Sequence, residues 1–485
     1  MGSLSTLAVA CAVLCQALLS LASVTYAVPK TYNTGGFAYA PVSGAPVGIS
    51  FEFFAFPKYF NSVPATSQCL ANWHSISGTW PPIRIGGTTQ DRATYDASSA
   101  DYVDYTVASS TDAPSALTFG PSFMSLAGGY SGSVVLGLNR GYNNVTNTIA
   151  AAQTAVKNMG NLIAIELGNE PEYFASAGQA ITSGISWTPA ADAASQDNWD
   201  IWVGSAVAKK AIIQAGVWLS SPSTWGNAEL IATENTTAQQ YVGTYCHHNY
   251  PGGTIQSLMT HSTIASNVNG YKSDIAAALA VGKPYVFGET NSATGGGASG
   301  VSPTYGAALW TMDYSLRAVA NNVSRLYFHH GTVGACQYCF WGVYDMGAPY
   351  YGATVATAAL AGASHIAVLD DGTTNYGGYV TYDASGNALR ALLYNSDYFD
   401  GTGTRSSQTF TLTGLAATSV KAKRLTAANV LSRVDQGSPP TWGGQTYTNG
   451  NCVVSGTETF ETTTVTSGAA TFTLQASEAL LVNLQ

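Results

Sequence analysis

Short apolar runs rich in β-branched residues recur between residues 47 and 330, with helix-forming stretches between them. Runs of this kind predict buried strands. Short links between alternating strands and helices imply that the strands pair in parallel. Eight strands are predicted, at Val47–Phe53, Pro82–Gly87, Ser133–Asn139, Leu162–Glu170, Val217–Ser221, Thr244–Tyr250, Pro284–Thr290 and Arg325–His330. The pattern predicts an α/β fold, a (β/α)8 barrel over residues 46–365.

Helices fit between the predicted strands. Apolar residues at three- and four-residue spacing predict one helix over Val145–Met159, with Gly160 as its stop, and another over Tyr305–Val319. Before the fifth strand, Ile201–Gln214 is apolar on one face and Gly216 follows it. A helix is therefore predicted there as well.

The texture of the chain changes after about residue 366. Tyr379–Tyr382 and Ala388–Tyr394 flank Asp383–Asn387, which is a hairpin signal. Thr and Ser are plentiful beyond this point and helical periods are scarce. Residues 366–485 therefore predict an antiparallel β-sandwich, and the Gly-, Tyr- and Pro-rich residues 28–45 could supply an edge strand to it.

The first residues resemble a targeting segment. Residues 1–27 carry no charged side chain, and Leu7–Leu21 is an apolar core ahead of a cleavage-site pattern at Thr25–Ala27. This predicts a secretory signal peptide, although the usual basic residue near the start is missing. The protein is expected to be secreted and extracellular, without a membrane anchor. Sequons for N-linked glycans, consistent with secretion, begin at Asn144, Asn235 and Asn322.

The cysteine content leaves the pairing open. Five cysteines follow the predicted signal peptide, namely Cys69, Cys246, Cys336, Cys339 and Cys452. An odd number requires at least one free or intermolecular thiol. Cys336-Gln-Tyr-Cys339 has the spacing of a metal knuckle or redox pair, but no second pair completes a zinc site. A structural disulfide or buried thiols are favoured.

Composition narrows the classes of partner. Apolar residues make up 46% of the 485-residue chain and charged residues only 9%, which indicates a large core. The formal net charge of −9 argues against nucleic acid, because binding to phosphates rewards basic surfaces. The same balance disfavours densely sulfated polymers.

Two predicted strands end in an acid. The fourth strand ends at Asn169 and Glu170, directly before Pro171, which cannot donate to a central ladder. Glu289 follows Gly288 in the seventh strand. Catalytic side chains project from the carboxyl ends of barrel strands, and two carboxylates from different strands are what glycoside hydrolysis requires. The alternative is a pair of strand ends whose polar residues meet water.

Two pairs of adjacent histidines, His247-His248 and His329-His330, do not predict a metal site. Neighbours on a strand face opposite ways, and zinc needs three or four converging ligands. No metal and no cofactor are expected.

Five segments resemble the signature segments of glycoside hydrolase family 79, which contains β-glucuronidases and heparanase. They are Arg84-Ile-Gly-Gly-Thr88, Leu136-Gly-Leu-Asn139, Glu166-Leu-Gly-Asn-Glu-Pro171, His247-His-Asn-Tyr250 and Gly288-Glu-Thr-Asn-Ser-Ala-Thr-Gly-Gly-Gly-Ala298. The resemblance implies a barrel with a sandwich that the preceding segment completes. It also implies that Glu170 is the acid/base and Glu289 the nucleophile of a retaining mechanism, whose carboxyl groups lie about 5–5.5 Å apart.

The resemblance also assigns residues to substrate binding. Asn169 matches the amide that contacts the sugar 2-hydroxyl, and Glu52 matches a position that hydrogen-bonds sugar hydroxyls. Gly295 and Gly296 match main-chain amides that meet the uronate carboxylate, and a glycine run is able to form such an anion nest. Tyr351 resembles a tyrosine that contacts the same carboxylate.

Four more residues complete the predicted site. Tyr250 resembles a tyrosine that hydrogen-bonds the nucleophile, here Glu289. His248 shares the strand parity of Tyr250 and is expected to face the pocket. Thr88 and Asn139 are further candidates for substrate contact.

Residues and resemblance together predict a secreted retaining exo-β-glucuronidase. Its substrate would be a carbohydrate with a terminal β-linked glucuronate, released as glucuronic acid or its 4-O-methyl form from glycans or aryl glucuronides. Heparanase-like endo cleavage of a polyanion is the nearer alternative. The chain has only 18 Lys plus Arg residues, which leaves few basic side chains to line a cleft for a polyanion. Gly295–Gly297 disfavours a barrel hydrolase for a neutral sugar. The presence of both acids disfavours a non-catalytic carbohydrate-binding protein.

Overall fold

A closed barrel of eight parallel strands forms the larger part of the fold. The computed structural model describes residues 23–32, 38–343 and 345–485. The barrel strands are β1 (Val47–Glu52), β2 (Ile83–Gly86), β3 (Val134–Leu138), β4 (Leu162–Leu167), β5 (Ile213–Trp218), β6 (Val242–Asn249), β7 (Tyr285–Thr290) and β8 (Val323–His330). Each strand pairs with the next in chain order, and β8 pairs with β1. The predicted fold class is confirmed.

Helices cover the outside of the barrel. They are Phe56–Ser62, Ala65–Ser77, Pro121–Gly128, Val145–Asn158, Pro189–Ala206, Asn227–Thr233, Thr236–Gln239, Ile255–Met259, His261–Asn269, Lys272–Ala280, Tyr305–Ala320 and Pro349–Leu360. Side chains of Asn144, Thr188 and Thr304 accept hydrogen bonds from main-chain N–H groups in the first turns that follow them. Such caps satisfy donors that have no partner within the helix.

The region before the fifth strand differs from the prediction. The helix ends at Ala206, and the strand is Ile213–Trp218. The predicted helix over Ile201–Gln214 therefore extended too far along the chain, and the predicted strand over Val217–Ser221 began too late. Gly216 is not a helix stop but part of a bulge, with a positive φ of 95°. A Cβ atom there would lie 2.3 Å from the side chain of Asn227, which explains why glycine interrupts the apolar strand.

The C-terminal domain is a sandwich of two sheets. Val24–Ala27, Ser407–Thr413 and Ala469–Gln475 form the smaller sheet. The larger sheet contains, in spatial order, Thr441–Trp442, Ser419–Thr426, Glu478–Asn483, Ala388–Asn395, Tyr376–Tyr382, His365–Val368 and Tyr39–Pro41, with Glu461–Thr464 also paired to Ser419–Thr426. Shorter strands lie at Ala93–Tyr95, Val103–Asp104, Leu117–Phe119, Thr446–Tyr447 and Val454–Ser455.

Alternation along the large sheet fills two different cores. Val380 and Leu393 face the small sheet and belong to one apolar cluster with Phe410 and Phe472. Their neighbours on the strands, such as Tyr379 and Leu392, belong to the cluster of the barrel. Because successive side chains on a strand point to opposite faces, one sheet joins the sandwich to the barrel. The helix Tyr305–Ala320 lies at this junction and is buried along almost its whole length.

Polar and covalent links reinforce the junction. His261, on a barrel helix, contacts Asp313 at 2.7 Å and Asp370 at 3.0 Å through its two ring nitrogens. A disulfide joins Cys69 of the barrel to Cys452 of the sandwich, and a second joins Cys336 to Cys339. The remaining cysteine predicted for the mature chain, Cys246, is a buried free thiol.

The amino-terminal prediction needs a correction. Val24–Ala27, which the sequence placed in the signal peptide, pairs in parallel with Ser407–Thr413. Tyr26 is buried there and donates a hydrogen bond to the carbonyl of Tyr376 at 2.8 Å. A cleavage after Ala27 would remove this strand, which argues against the predicted cleavage site. The rest of the predicted signal peptide, residues 1–22, lies outside the described residues.

Two surface properties complete the description. None of the helices in residues 23–32, 38–343 and 345–485 is both long and apolar enough to cross a bilayer. Of the three sequon asparagines, Asn144 and Asn235 are exposed and Asn322 is partly exposed. Glycosylation at these positions stays a prediction.

Candidate active site

Glu170 and Glu289 converge at the carboxyl ends of β4 and β7. Glu289 lies within β7, whereas Glu170 follows β4 in the left-handed region, at a φ of 48°. Its amide donates to the carbonyl of Val217, itself at a φ of 68°, at 3.1 Å. Strained backbone of this kind persists where the surrounding structure fixes it and clusters at functional sites. One carboxylate oxygen of Glu170 and one of Glu289 lie within 4.8 Å of each other.

Arg84 binds beneath this pair, inside the barrel. Its Nη1 donates to Glu289 Oε2 at 2.6 Å, and its Nη2 donates to Asn169 Oδ1 at 2.9 Å. Its Nε donates to both carboxylate oxygens of Glu166 at 3.1 Å. Arg84 and Glu166 are fully buried. The guanidinium therefore both balances the charge of Glu289 and orients the amide of Asn169.

The surroundings of Glu289 favour its ionised form. Tyr250 Oη donates to Glu289 Oε1 at 2.6 Å, as the resemblance implies. His329 Nδ1 lies 3.4 Å from the other oxygen. Burial disfavours the charge, but nearby groups that include His329 and Arg84 outweigh it and hold the pKa of Glu289 well below its usual range.

The surroundings of Glu170 favour its neutral form. Burial, followed by repulsion from Glu289, raises the pKa of Glu170 to about 8. His248 Nδ1 lies 2.9 Å from Glu170 Oε1. Burial lowers the pKa of His248 to about 4, so this imidazole is neutral near pH 7. The two acids thus differ in protonation state, as an acid and a nucleophile must.

An open cavity of about 390 Å³ lies above the two acids. Several predicted residues line it, namely Glu52, Thr88, Glu170, Tyr250, Glu289, Gly295 and Gly296. Glu52 accepts a hydrogen bond from the amide of Thr89 at 2.8 Å and lies 3.3 Å from His329 Nε2. Gly87 makes this possible, because a Cβ there would lie 2.4 Å from Glu52 Oε2.

The glycine loop after β7 is open to the cavity. Gly295, Gly296 and Gly297 all have positive φ values, of 64°, 85° and 98°. A Cβ atom added at Gly295 or Gly296 would meet nothing within 4 Å. Within the described part of the chain, neither of their main-chain N–H groups has an acceptor. Both are therefore available to a ligand.

Two of the predicted contacts are wrong. Tyr351 is fully buried away from the cavity, and its hydroxyl accepts from the amide of Tyr447 at 2.9 Å. Besides Tyr250, the cavity is lined by Tyr338, and the ring centroids of these two tyrosines are 6.2 Å apart. The side chain of Asn139 donates to the carbonyl of Ala93 at 3.0 Å and holds a loop instead of lining the cavity.

Asn169 and His248 lie behind the cavity wall. Asn169 is close to the acids but is held by Arg84, and it is 7% exposed. His248 reaches the cavity only through its contact with Glu170. Sequence reasoning missed Arg84, Tyr338 and His329. Arg84 and Gly86 lie two residues apart on β2, so they share one face of the strand. This shared face was the signal in the sequence that could have placed Arg84 inside the barrel.

Among residues 23–32, 38–343 and 345–485, two groups of side chains converge closely enough to be considered as cation ligands. Glu170, His248 and Glu289 bring one ligand atom each within 4.8 Å of the others, as do Glu166, Cys246 and His248. In both groups Arg84 already supplies a positive charge to a carboxylate, that of Glu289 or Glu166. The charge balance of the site therefore does not require an ion.

Comparison with known proteins identifies the family. Residues 378–481 match the family model described as the glycosyl hydrolase family 79 C-terminal beta domain. A β-glucuronidase from Aspergillus niger is 30% identical over 416 residues, which span 76% of this chain and 75% of that protein. The chain belongs to glycoside hydrolase family 79. It is therefore a glycoside hydrolase.

Two further comparisons place this family 79 member more closely. A β-glucuronidase from Neurospora crassa is 31% identical over 66% of this chain and 64% of its own length. The crystal structure of a 4-O-α-L-rhamnosyl-β-D-glucuronidase from Fusarium oxysporum, a complex with Rha-GlcA, shares 56% identity and a TM-score of 0.92. That match covers 95% of this chain and all of the other.

Proposed function

We propose that the protein is a retaining β-glucuronidase with Glu289 as the nucleophile and Glu170 as the acid/base. The observation that carries the proposal is the pair of carboxylates within 4.8 Å, one with a lowered and one with a raised pKa. Inverting enzymes separate their carboxyl groups by roughly 6.5–9.5 Å to admit a water molecule. The closer pair favours direct attack on the anomeric carbon.

The order of proton transfers follows from the same pair. Glu170 protonates the glycosidic oxygen as Glu289 forms a bond to the anomeric carbon. Once Glu289 is esterified, its charge no longer raises the pKa of Glu170. Glu170, having lost its proton, then acts as the base that activates the incoming water. Arg84 and Tyr250 hold the Glu289 carboxylate in line throughout.

The substrate is proposed to be a uronide because the cavity offers donors to an anion. Gly295, Gly296 and Tyr338 all line it, and the N–H groups of the two glycines have no acceptor among the described residues. Arg92 also lines the cavity; it donates to the carbonyl of Pro114 at 2.9 Å and has no carboxylate partner among the described residues. A neutral sugar would leave these donors without a matching charge.

The likeness to the Fusarium oxysporum structure extends the proposal to the substituent on the sugar. The two proteins are 56% identical, and the match covers the whole of the Fusarium oxysporum protein. We therefore propose that this enzyme accepts a glucuronate that carries α-L-rhamnose at O4, besides the unsubstituted or 4-O-methylated sugar. Cleavage in this mode releases a small uronide from the end of a glycan.

Secretion is part of the same proposal. It is supported by the apolar, uncharged first residues and by two disulfides, which form and persist in oxidising compartments.

Purified enzyme should be assayed on matched nitrophenyl β-glucuronide and β-xyloside, and on a glycan with and without terminal 4-O-rhamnosyl glucuronate. Of the two nitrophenyl substrates, we expect hydrolysis of the glucuronide only. From the rhamnosylated glycan we expect release of a rhamnosyl-glucuronate disaccharide, and NMR should show that its anomeric configuration is first β. Hydrolysis of the xyloside alone would refute the uronide assignment. Internal cleavage of heparan sulfate, without release of small uronides, would favour the endo alternative.

A further inference from the structure

One loop supplies a whole wall of the active-site cavity. Residues 331–339 follow β8, and five of them line the cavity: Gly331, Thr332, Ala335, Cys336 and Tyr338. The loop has no helix or strand of its own. Loops without regular hydrogen bonding are mobile unless other contacts hold them. The position of Tyr338 therefore depends on what fixes this loop.

A disulfide fixes it around the tyrosine. Cys336 and Cys339 are bonded to each other and enclose Gln337 and Tyr338 in a small ring. The hydroxyl of Tyr59 donates to the carbonyl of Gly331 at 3.0 Å and lies 3.3 Å from Cys339 Sγ. Tyr338 is 3% exposed, so its ring is held tightly at the cavity wall.

The same ring is bonded to the glycine loop. The amide of Gln337 donates to the carbonyl of Gly296 at 2.7 Å. Gly297 packs so closely that a Cβ there would lie 2.9 Å from the amide of Tyr338. Movement of the disulfide ring would therefore displace the two free N–H groups of Gly295 and Gly296 together with Tyr338.

We propose that the Cys336–Cys339 disulfide is a positioning element for the uronate-binding wall, and that reduction of this bond weakens substrate binding while the fold persists. This inference rests on the proposed function, because the wall is assigned to the uronate carboxylate. Tyr338 and the glycine loop act on the substrate, and the disulfide acts through them.

The two disulfides in the described part of the chain differ in access. Cys336 is partly exposed and faces the cavity. Cys69 and Cys452 are both fully buried. Thiol–disulfide exchange needs direct approach of a thiolate to a sulfur atom. A small thiol reagent should therefore reach the Cys336–Cys339 bond in the folded enzyme and leave the other intact.

The reaction is an ordinary exchange with an external dithiol. A thiolate of the reagent attacks one sulfur, the Cys336–Cys339 bond breaks, and a mixed disulfide forms. The second thiol of the reagent closes its own ring and releases the second cysteine. Two electrons pass from the dithiol to the protein, which ends with two thiols.

The first test uses the wild-type enzyme. It is treated with dithiothreitol without denaturant, the free thiols are blocked with iodoacetamide, and peptide mapping shows which cysteines react. We expect labelling of Cys336 and Cys339 only, a rise in KM for a nitrophenyl glucuronide of about tenfold, equivalent to about 1.4 kcal/mol, and a much smaller change in kcat. Reoxidation of an unblocked sample should restore KM.

The second test uses matched variants. Cys336→Ser with Cys339→Ser should raise KM to the same extent and lower Tm only slightly. Cys69→Ser with Cys452→Ser should leave KM unchanged and lower Tm more. The reason is that a bond that closes a long stretch of chain constrains the unfolded state more than one that closes a short ring. Both pairs are measured on the same substrate.

The outcomes separate the two levels of the argument. An oxidised enzyme that hydrolyses glucuronides, but keeps its KM after complete reduction of Cys336–Cys339, overturns the inference and leaves the proposed function standing. A fall in kcat and Tm with unchanged KM also overturns it, because it shows only a structural role. An oxidised enzyme without glucuronidase activity overturns both.

Discussion

The protonation states of the two acids depend on their mutual repulsion, and this can be measured directly. Glu289→Gln replaces a buried charge by an amide of the same shape. One oxygen of each acid lies within 4.8 Å of the other, and two unit charges at that limit repel by roughly 3.5 kcal/mol at an effective dielectric constant of about 20. At about 1.4 kcal/mol per pH unit, this repulsion corresponds to roughly 2.5 units of the raised pKa of Glu170.

We therefore expect the pKa of Glu170 to fall from about 8 by roughly 2.5 units in the Glu289→Gln variant. The sign follows because a neighbouring negative charge disfavours loss of a proton, so removal of that charge makes the loss easier. The measurement is a ¹³C NMR titration of carboxyl-labelled glutamates, with the Glu170→Gln, Glu289→Gln double variant to assign the signal.

The titration has an internal control and a clear refutation. Burial raises the pKa of Glu234 to about 7, and Glu289 is not among its neighbours, so its titration should be the same in both proteins. A Glu170 pKa that stays within half a unit of the wild-type value would show that burial alone raises it. The proposed switch from acid to base during the reaction would then lose its physical cause.

Three further variants test other parts of the account. Glu170→Gln should lower kcat/KM by roughly 10²–10⁴ for phenyl glucuronides with poor leaving groups and far less for dinitrophenyl glucuronide, which a series of aryl substrates measures. Tyr250→Phe removes the 2.6 Å hydrogen bond to Glu289 and should lower kcat by about tenfold or more without a change in Tm. His261→Gln should destabilise the junction of barrel and sandwich by roughly 3 kcal/mol, measured by denaturant unfolding. Burial opposes the charge of His261, but contact with Asp313 raises its pKa to about 10, so this difference should be complete below pH 6.5 and shrink as the pH rises towards 10.

The barrel and the convergence of Glu170 with Glu289 were predictable from the sequence because both depend on local patterns. A short apolar strand followed by a glycine and an acid places that acid at the carboxyl end of the barrel, wherever the helices lie. Glu170 and Glu289 met this condition, and the structure brings their oxygens together. The hairpin between Tyr376–Tyr382 and Ala388–Asn395 was predictable for a similar reason, since its turn residues follow one another.

The fifth strand was misplaced because its pattern is ambiguous. An apolar stretch around Ile212–Trp218 fits either a buried strand or the face of a helix, and periodicity alone does not separate them. The bulge at Gly216 and Val217 interrupts the alternation further. Its position matters to function, since the carbonyl of Val217 accepts from the amide of Glu170.

The loop residues that line the side of the cavity were less predictable than the two acids beneath it. Tyr338 stands in an irregular loop, where neither a period of two nor one of 3.6 indicates direction, and the sequence favoured Tyr351 in its place. Tyr351 belongs to a helix buried against the sandwich. Arg84 is bonded to groups from β1, β4 and β7, and such a long-range network appears only once the barrel has closed.

In the proposed mechanism Glu289 becomes covalently bonded to the sugar, and this intermediate can be trapped. A 2-deoxy-2-fluoro-β-glucuronyl fluoride reacts with a retaining enzyme but is released slowly, because the fluorine destabilises the oxocarbenium-like transition state. Intact mass and peptide mapping should then show one glycosyl ester, on Glu289, in the wild type and none in Glu289→Gln. An ester on another carboxylate, or hydrolysis with inversion and no adduct, would contradict the account.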